Sequence, residues 1–495
     1  MTDRPHLLAI DQGTTSSRAI LFNASAEIVA TAQRGLTQIY PRDGWVEQDP
    51  EQLWQATLAA CRTVFADDPE RAQSVVAIGI ANQRETTLVW DRATSKPLGN
   101  AIGWQDRRTA GLCDRLRREG HEPLVTQKTG LVLDPYFSAT KIAWILDNID
   151  GARAAADRGE LAFGTVDSYL LWRTTGGRLH ATDATNASRT MLFDIRTQQW
   201  DDDLLALFRI PRSLLPEVFD CAHDFGHTDA ALLGRPIAIT GVIGDQQAAA
   251  IGQGCTAPGM IKSTYGTGCF LLLNTGPEIV PSRHRLLSTV AYRLQGQPSY
   301  ALEGSIFVAG AAVQWLRDGI SVIATAGQTE SMASGLSGNG GVYLVPAFVG
   351  LGAPHWDPHA RGALFGITRD TGPAHLARAA LESAAFQTHD LLQAMRRDGV
   401  RLRTLRVDGG MVRNDWLIQF LADIVDLPVE RPAITETSAL GAAFCAGLQS
   451  GLFESLDATR DHWRRQARFT PSMAAGARAE LLAGWQRSVD RVRSQ

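Results

Sequence analysis

Leu7-Leu8-Ala9-Ile10-Asp11-Gln12-Gly13-Thr14-Thr15-Ser16-Ser17-Arg18-Ala19-Ile20-Leu21-Phe22 is the stretch on which the reading of this chain turns. Two short apolar runs flank a glycine- and hydroxyl-rich centre, which predicts a β-hairpin with Asp11 to Arg18 at its tip. Such a tip suits phosphate. Gly13 lets the backbone approach closely, Thr14, Thr15 and Ser16 supply amide and hydroxyl donors, and Arg18 adds fixed positive charge. Asp11, at the end of the first strand, suits an oxygen-seeking Mg2+ held through water. Standing alone, the stretch also fits a plain polar turn.

It does not stand alone. Ile261-Lys262-Ser263-Thr264-Tyr265-Gly266-Thr267-Gly268-Cys269-Phe270 runs into Leu271-Leu272-Leu273, again strand, glycine-hydroxyl tip and strand. Gly266 follows Gly13 by 253 residues in a chain of 495. Two such tips at half-length spacing predict two related domains facing one nucleotide across a cleft.

The length exceeds what one core usually serves, which also predicts two domains. A hydrophobic content of 44% and a charged content of 20% describe an ordinary globular protein. The net charge of −4 gives no case for a nucleic-acid partner or an anionic membrane surface. The six cysteines form no CxxC pair, which argues against a zinc site or disulfide framework and fits a reducing, cytoplasmic location. Thr2-Asp3-Arg4-Pro5 leads straight towards a strand, without the pattern of a signal peptide. The apolar stretch near Ala439 to Leu448 is too short to span a bilayer, so no membrane insertion is expected.

Strands and helices alternate along both halves, which predicts an α/β fold with helices packed on mixed sheets. Asp49-Pro50 opens a helix over 51–65, Val75 to Ile80 forms a buried strand, and Ser138 to Asn148 forms a helix. Later helices are expected over 168–174, 306–318, 374–397, 416–425 and 437–450, and strands near 236–240, 261–264, 287–293 and 404–407. Gly252-Gln253-Gly254 marks the boundary, giving an N-terminal domain over 1–252 and a C-terminal domain over 253–495. A hinge there would let the halves close over substrate and exclude water.

No GxxxxGK[ST] and no strand-to-helix GxGxxG occurs, so neither a P-loop nor a dinucleotide fingerprint is present. Paired tips, with Asp-x-Gly-Thr first and Gly-Thr-Gly second, resemble those of the actin, hexokinase and heat-shock chaperone ATPase superfamily. Its domains are ribonuclease H-like, with an active-site cleft between them. Val407-Asp408-Gly409-Gly410-Met411-Val412-Arg413-Asn414 looks like that superfamily's adenosine loop. Within it, Tyr136-Phe137-Ser138-Ala139-Thr140-Lys141-Ile142-Ala143-Trp144 matches the first signature of the FGGY carbohydrate kinases. Gly362-Ala363-Leu364-Phe365-Gly366-Ile367, with His375-Leu376 and Ala379-Ala380-Leu381-Glu382, matches the second. The resemblance runs from about Leu8 to about Ala446.

Asn82-Gln83-Arg84-Glu85-Thr86 follows a buried strand, and ligands bind at strand ends in open α/β sheets. This segment, Trp104-Gln105-Asp106-Arg107-Arg108, Asp134-Pro135-Tyr136-Phe137 and Gly244-Asp245-Gln246-Gln247 are similar to those of the family's glycerol-phosphorylating branch. The resemblance implies ATP-dependent phosphorylation of glycerol with Mg2+. Arg84 donates from a rigid fork and Glu85 accepts, so both could bind neighbouring hydroxyls. Trp104 and Phe270 would cover the carbons, with Tyr136 and Gln246 beside them, and Asp245 would be the base. By resemblance, Gly310, Gln314, Gly410 and Asn414 line the nucleotide. The residues also allow plainer roles: Asp245 as a helix cap, Arg84-Glu85 as an exposed pair, Trp104 and Tyr136 as core aromatics. Another polyol or sugar kinase of the family, or a nucleotide-switched ATPase, competes for the function. Some members bind fructose 1,6-bisphosphate on a glycine-rich loop before the strand reaching Asp245. Here Asp229 to Arg235 is shorter, which argues against it. Assembly as a dimer or tetramer is common in the family, so a homo-oligomer is expected.

Overall fold

The computed structural model describes residues 5–357 and 359–494; the expected entry through Thr2 to Arg4 lies outside them. Two sheets organise the chain. The first holds β1 (His6–Gln12), β2 (Ser16–Asn23), β3 (Ile28–Gly35), β4 (Val75–Asn82) and β5 (Ala238–Gly244), in the order β5-β4-β1-β2-β3. The second is built on β6 (Ile261–Tyr265), β7 (Cys269–Gly276), β8 (Leu287–Leu294), β9 (Gln297–Ile306), β10 (Leu405–Asp408), β11 (Val429–Pro432) and β12 (Arg465–Phe469). Its order is β8-β9-β7-β6-β10-β11-β12.

The two orders contain the same unit. In the first sheet β1 pairs antiparallel with β2, β2 with β3, and β1 and β4 continue in parallel towards β5. In the second, β6, β7 and β9 repeat the antiparallel run, and β10 and β11 repeat the parallel one. The repeat anticipated from the tips is therefore one of topology. Both tips join the first two strands of their unit, so each occupies the same place in its sheet.

Apolar alternation and caps explain the helices that matter. Asp49 caps α1 (Pro50–Asp67), accepting from the Glu51 amide, and proline occupies the first turn. Next come α2 (Ser138–Asn148), α3 (Asp245–Gly252), α4 (Pro373–Arg397), α5 (Asp415–Val425), α6 (Thr437–Gln449) and α7 (Ala475–Val492). Helices α3 and α6 follow equivalent strands, β5 and β11, and cross each other between the sheets. The crossing is backbone on backbone: a Cβ on Gly441 would lie 1.9 Å from the Ala248 carbonyl oxygen, and one on Gly252 would lie 2.1 Å from that of Thr437. Helix α6 also lies on the first sheet over Gly79, where an added Cβ would come 2.1 Å from the Ala442 carbonyl oxygen.

One expected helix is different. The segment 306–318 opens as strand, because Ile306 completes β9 opposite Cys269. The helix begins at Gly310, runs to Gln314 and then loosens into a π turn over Trp315–Gly319. Its start is stitched to the second tip: the Gly310 amide donates to the Gly266 carbonyl at 3.0 Å, and the Ala311 amide to that of Thr267 at 3.0 Å. All six cysteines are buried thiols. Among the described residues no helix is long and apolar enough to cross a membrane.

Candidate active site

The first tip is closed by the Gly13 amide donating to the Ser16 carbonyl at 2.9 Å, with Asp11 opposite Arg18 in the ladder. Glutamines brace it from behind. Gln38 and Gln48 donate to the Thr14 carbonyl at 2.7 and 2.6 Å, and Gln83 donates to Gln48 at 2.8 Å. The second tip is closed by the Gly266 amide on the Gly268 carbonyl at 2.9 Å, leaving Thr267 exposed.

A cavity of about 770 Å³ lies between Arg18 of the first hairpin and the second tip. Arg18 lines it from the first sheet, Gly266 and Thr267 from the second tip, Gly310 and Gln314 from the stitched helix, and Gly410 and Asn414 from the turn after β10. Asn414 is fixed as the N-cap of α5, accepting from the Leu417 amide at 2.9 Å. Thr14, Thr15 and Ser16 lie outside this lining. Thr14 turns the other way, its hydroxyl accepting from the Trp104 indole N–H at 2.9 Å.

That bond joins the phosphate tip to an aromatic slot. Trp104 meets Phe270 and Tyr136 edge-on, with ring centroids 5.5 and 5.8 Å apart. Arg84 stands 6.0 Å from the Phe270 ring, and its Nε lies 3.2 Å from Asp245. Asp245 is the first residue of α3; its carboxylate accepts the Gln246 amide at 2.7 Å and the Gln246 side chain at 3.0 Å. Lys262 in turn donates to Gln246. Asp11 connects slot and cavity. Its carboxyl is 3.9 Å from Arg18 and is pushed up to about 7, chiefly by burial and further by Glu436 and Asp245, against the pull of Arg18.

Arg84 and Glu85 are buried, at 3% and 1% exposure, so they are no surface pair. Glu85 holds a left-handed φ of 60°. Its carbonyl accepts from Thr87 at 3.0 Å, Ser138 at 3.2 Å and Lys141 at 3.3 Å, which ties the start of α2 to this strand end. Burial presses the Lys141 ammonium down to about 7.

The N-terminal domain model of the FGGY family of carbohydrate kinases matches residues 6–252, and the C-terminal domain model matches 261–450. The chain belongs to the FGGY family of carbohydrate kinases. Within the FGGY family, a glycerol kinase of Rhodospirillum centenum is 61% identical over 494 residues, covering 100% of this chain and 99% of the relative. Glycerol kinase 1 of Pseudomonas aeruginosa is 60% identical, with 99% of each chain covered. The crystal structure of Plasmodium falciparum glycerol kinase with ADP aligns at a TM-score of 0.91 and 36% identity over 99% of both chains. Gluconate kinase from Lactobacillus acidophilus aligns at 0.86 over 99% of both, but at 21% identity it shares the fold alone.

Two of the expected site residues are largely engaged by the protein itself. Arg84 spends most of its fork on protein: Glu303 at 2.5 and 3.3 Å and Gln247 at 3.2 Å. Arg18 is held by Glu436 at 2.6 Å. Glu303, Glu436 and Arg189 were not anticipated. Arg189 donates to Glu85 at 2.6 Å and to Glu303 at 2.8 Å, completing a buried cluster of two arginines and two glutamates. Burial pushes the Glu303 carboxyl up, but Arg189 and Arg84 outweigh it and hold it down at about 2.

Proposed function

We infer that this FGGY protein transfers the γ-phosphoryl group of ATP to glycerol, giving glycerol 3-phosphate and ADP. The observation that carries the reading is one cavity lined by Arg18 from the first hairpin and by Gly266 and Thr267 from the second, with Arg18 and Asp11 leading on to the Arg84–Asp245 pair. Phosphoryl transfer asks a protein mainly for positioning and charge stabilisation, and this layout supplies both. Gly310, Gln314, Gly410 and Asn414 line the nucleotide. Arg18 and, from the other side, Thr267 donate to its phosphates, and the backbone amides of Thr14, Thr15 and Ser16 complete the grip from the first tip.

Glycerol occupies the aromatic slot, its carbons against Trp104, Phe270 and Tyr136. Its hydroxyls meet what remains of the Arg84 fork, together with Glu85 and Gln246 around Asp245. Asp245 accepts the proton of the terminal hydroxyl as that oxygen turns towards phosphorus. A slot built around named hydroxyl partners rejects polyols that leave those partners unpaired.

A Mg2+ ion fits Asp11. One carboxylate at a phosphate tip is the donor set such an ion uses beside phosphate oxygens and waters, and among the described residues no cage of three His, Cys, Asp or Glu competes for it. When bound, the ion neutralises phosphate charge. The domain division is placed between Gly252 and Gln253, after α3. Homo-oligomeric assembly and a cytoplasmic location accompany this reading on the family resemblance.

The test is ADP release measured with glycerol, erythritol, xylulose, ribulose and gluconate, with and without Mg2+. Glycerol should be preferred by at least about 100-fold in kcat/KM over the five-carbon sugars, and only with Mg2+. Equal use of a pentulose, or ATP turnover that no polyol accelerates, overturns it.

A further inference from the structure

A second cavity, of about 430 Å³, opens on the other side of the Arg107–Asp134 ion pair and is built by both halves of the chain. From the first half come the helix Ala110–Arg118 and the loop reaching Pro135. From the second come Arg285, residues 355–357, His359, and Arg493 and Ser494 just past α7. Arg107 also lines a smaller cavity beside Trp104 and Tyr136.

Its charge is unbalanced in a specific way. Five arginines line the wall against three aspartates, and every aspartate is already engaged. Asp134 holds Arg107 at 2.7 Å, Asp114 holds Arg117 at 2.8 Å, and Asp357 accepts from the Ser494 amide and hydroxyl at 2.7 and 2.8 Å. Among the described residues Arg118, Arg285 and Arg493 have no carboxylate within 4.0 Å. Beside them, the Nε2 of His355 is buried with no hydrogen-bond partner. The other acids that act on His355, Asp390 and Asp490, are occupied by Trp485 at 2.7 Å and Gln486 at 2.9 Å. Three guanidiniums without a carboxylate partner, lining one cavity, call for a partner of the opposite sign.

We propose that this cavity binds a small polyanion of metabolite size, gripped by Arg118 from the first half and by Arg285 and Arg493 from the second. The guanidinium forks match phosphate and carboxylate oxygens alike. Three fixed charges favour a ligand carrying at least two negative groups over a monoanion. Binding there is separate from the nucleotide cavity and stands whether or not glycerol is the substrate.

Isothermal titration of the full chain, with ADP and glycerol present to fill the main cleft, tests it. The probes are 3-phosphoglycerate and citrate, each against sodium chloride at matched ionic strength. Saturable one-to-one binding of at least one probe is expected. It should weaken about tenfold or more in R285A and in R493A, with further loss in the double variant. The tighter probe tells whether a phosphate beside one carboxylate or carboxylates alone are preferred. These positions are exposed, so unchanged melting checks that the variants fold. Heats no larger than those of the matched salt for both probes, or equal affinity in the arginine variants, overturn the proposal.

Discussion

Glu303, midway along a strand of the second sheet, closes on Arg84, at the end of a strand of the first, with 2.5 Å between Oε2 and the guanidinium. The second arm of Glu303 reaches Arg189 at 2.8 Å, and both arginines lie within the field of Glu85. The polyol side is therefore assembled from both halves of the molecule. Arg84 can face a ligand only while the second sheet stays in place.

Glu303→Gln tests that dependence. Removing one partner of a buried ion pair costs roughly 3–5 kcal/mol, because the remaining charge is left buried and unpaired. Two guanidiniums would lose their counter-charge here. Denaturant unfolding should show that loss, and KM for glycerol should rise at least tenfold while KM for ATP moves little. A purely structural role for Glu303 would raise both KM values together.

Asp245→Asn separates binding from proton transfer. The amide keeps the size of the side chain and its place at the first residue of α3, but it cannot take a proton. General-base contributions are typically about 100- to 10,000-fold, so kcat should fall within that range while calorimetry still finds glycerol bound. Turnover like that of the native chain would remove Asp245 from the reaction.

Asp11 makes the free protein sensitive to pH in a direction that can be worked out. Its carboxyl is raised from 3.8 to about 7, first by burial. The folded chain therefore holds a proton that the unfolded chain has released between these values. That contribution to stability is complete below about 4 and is lost as pH rises through about 7. Asp11→Asn cannot ionise, so thermal melting without nucleotide should place the variant above the native protein at pH 8, with the gap closing towards pH 5. A gap independent of pH would show that Asp11 is ionised throughout. Because metal ligation needs the carboxylate, KM for the Mg2+–ATP pair should also climb below pH 7.

Local pattern explains which parts of this site could be read from residues alone. Each tip carries its own signal, glycine and hydroxyls between apolar runs, and Arg84-Glu85 follows a strand strong enough to place it. Glu303 has no such signal. It is one acid in Gln297–Ile306, and its partners Arg84 and Arg189 are 219 and 114 residues away. Arg189 sits in an unremarkable loop 104 residues from Glu85. Pairings of that kind arise from tertiary packing. The same holds for the shortened helix at Gly310, whose start is set by the carbonyls of a tip more than forty residues earlier.

The glycine crossing of α3 and α6 supplies the last test. Both helices follow the final parallel strand of their unit, and they meet where neither has a side chain to move aside. Gly441→Ala would put a methyl group 1.9 Å from the Ala248 carbonyl oxygen, so one helix must shift bodily. Over-packing of this type costs typically about 1–3 kcal/mol, and here the displaced element also carries Asp245 at its first turn. The expected result is a lower melting temperature together with a reduced kcat. Gly476→Ala is the control, since nothing lies within 4 Å of its added methyl group and the residue is exposed in the first turn of α7. That change should be neutral or stabilise by about 0.4–1 kcal/mol, with turnover unaffected. Equal behaviour of the two variants would mean that the crossing tolerates separation, and that α3 does not depend on α6 for its position.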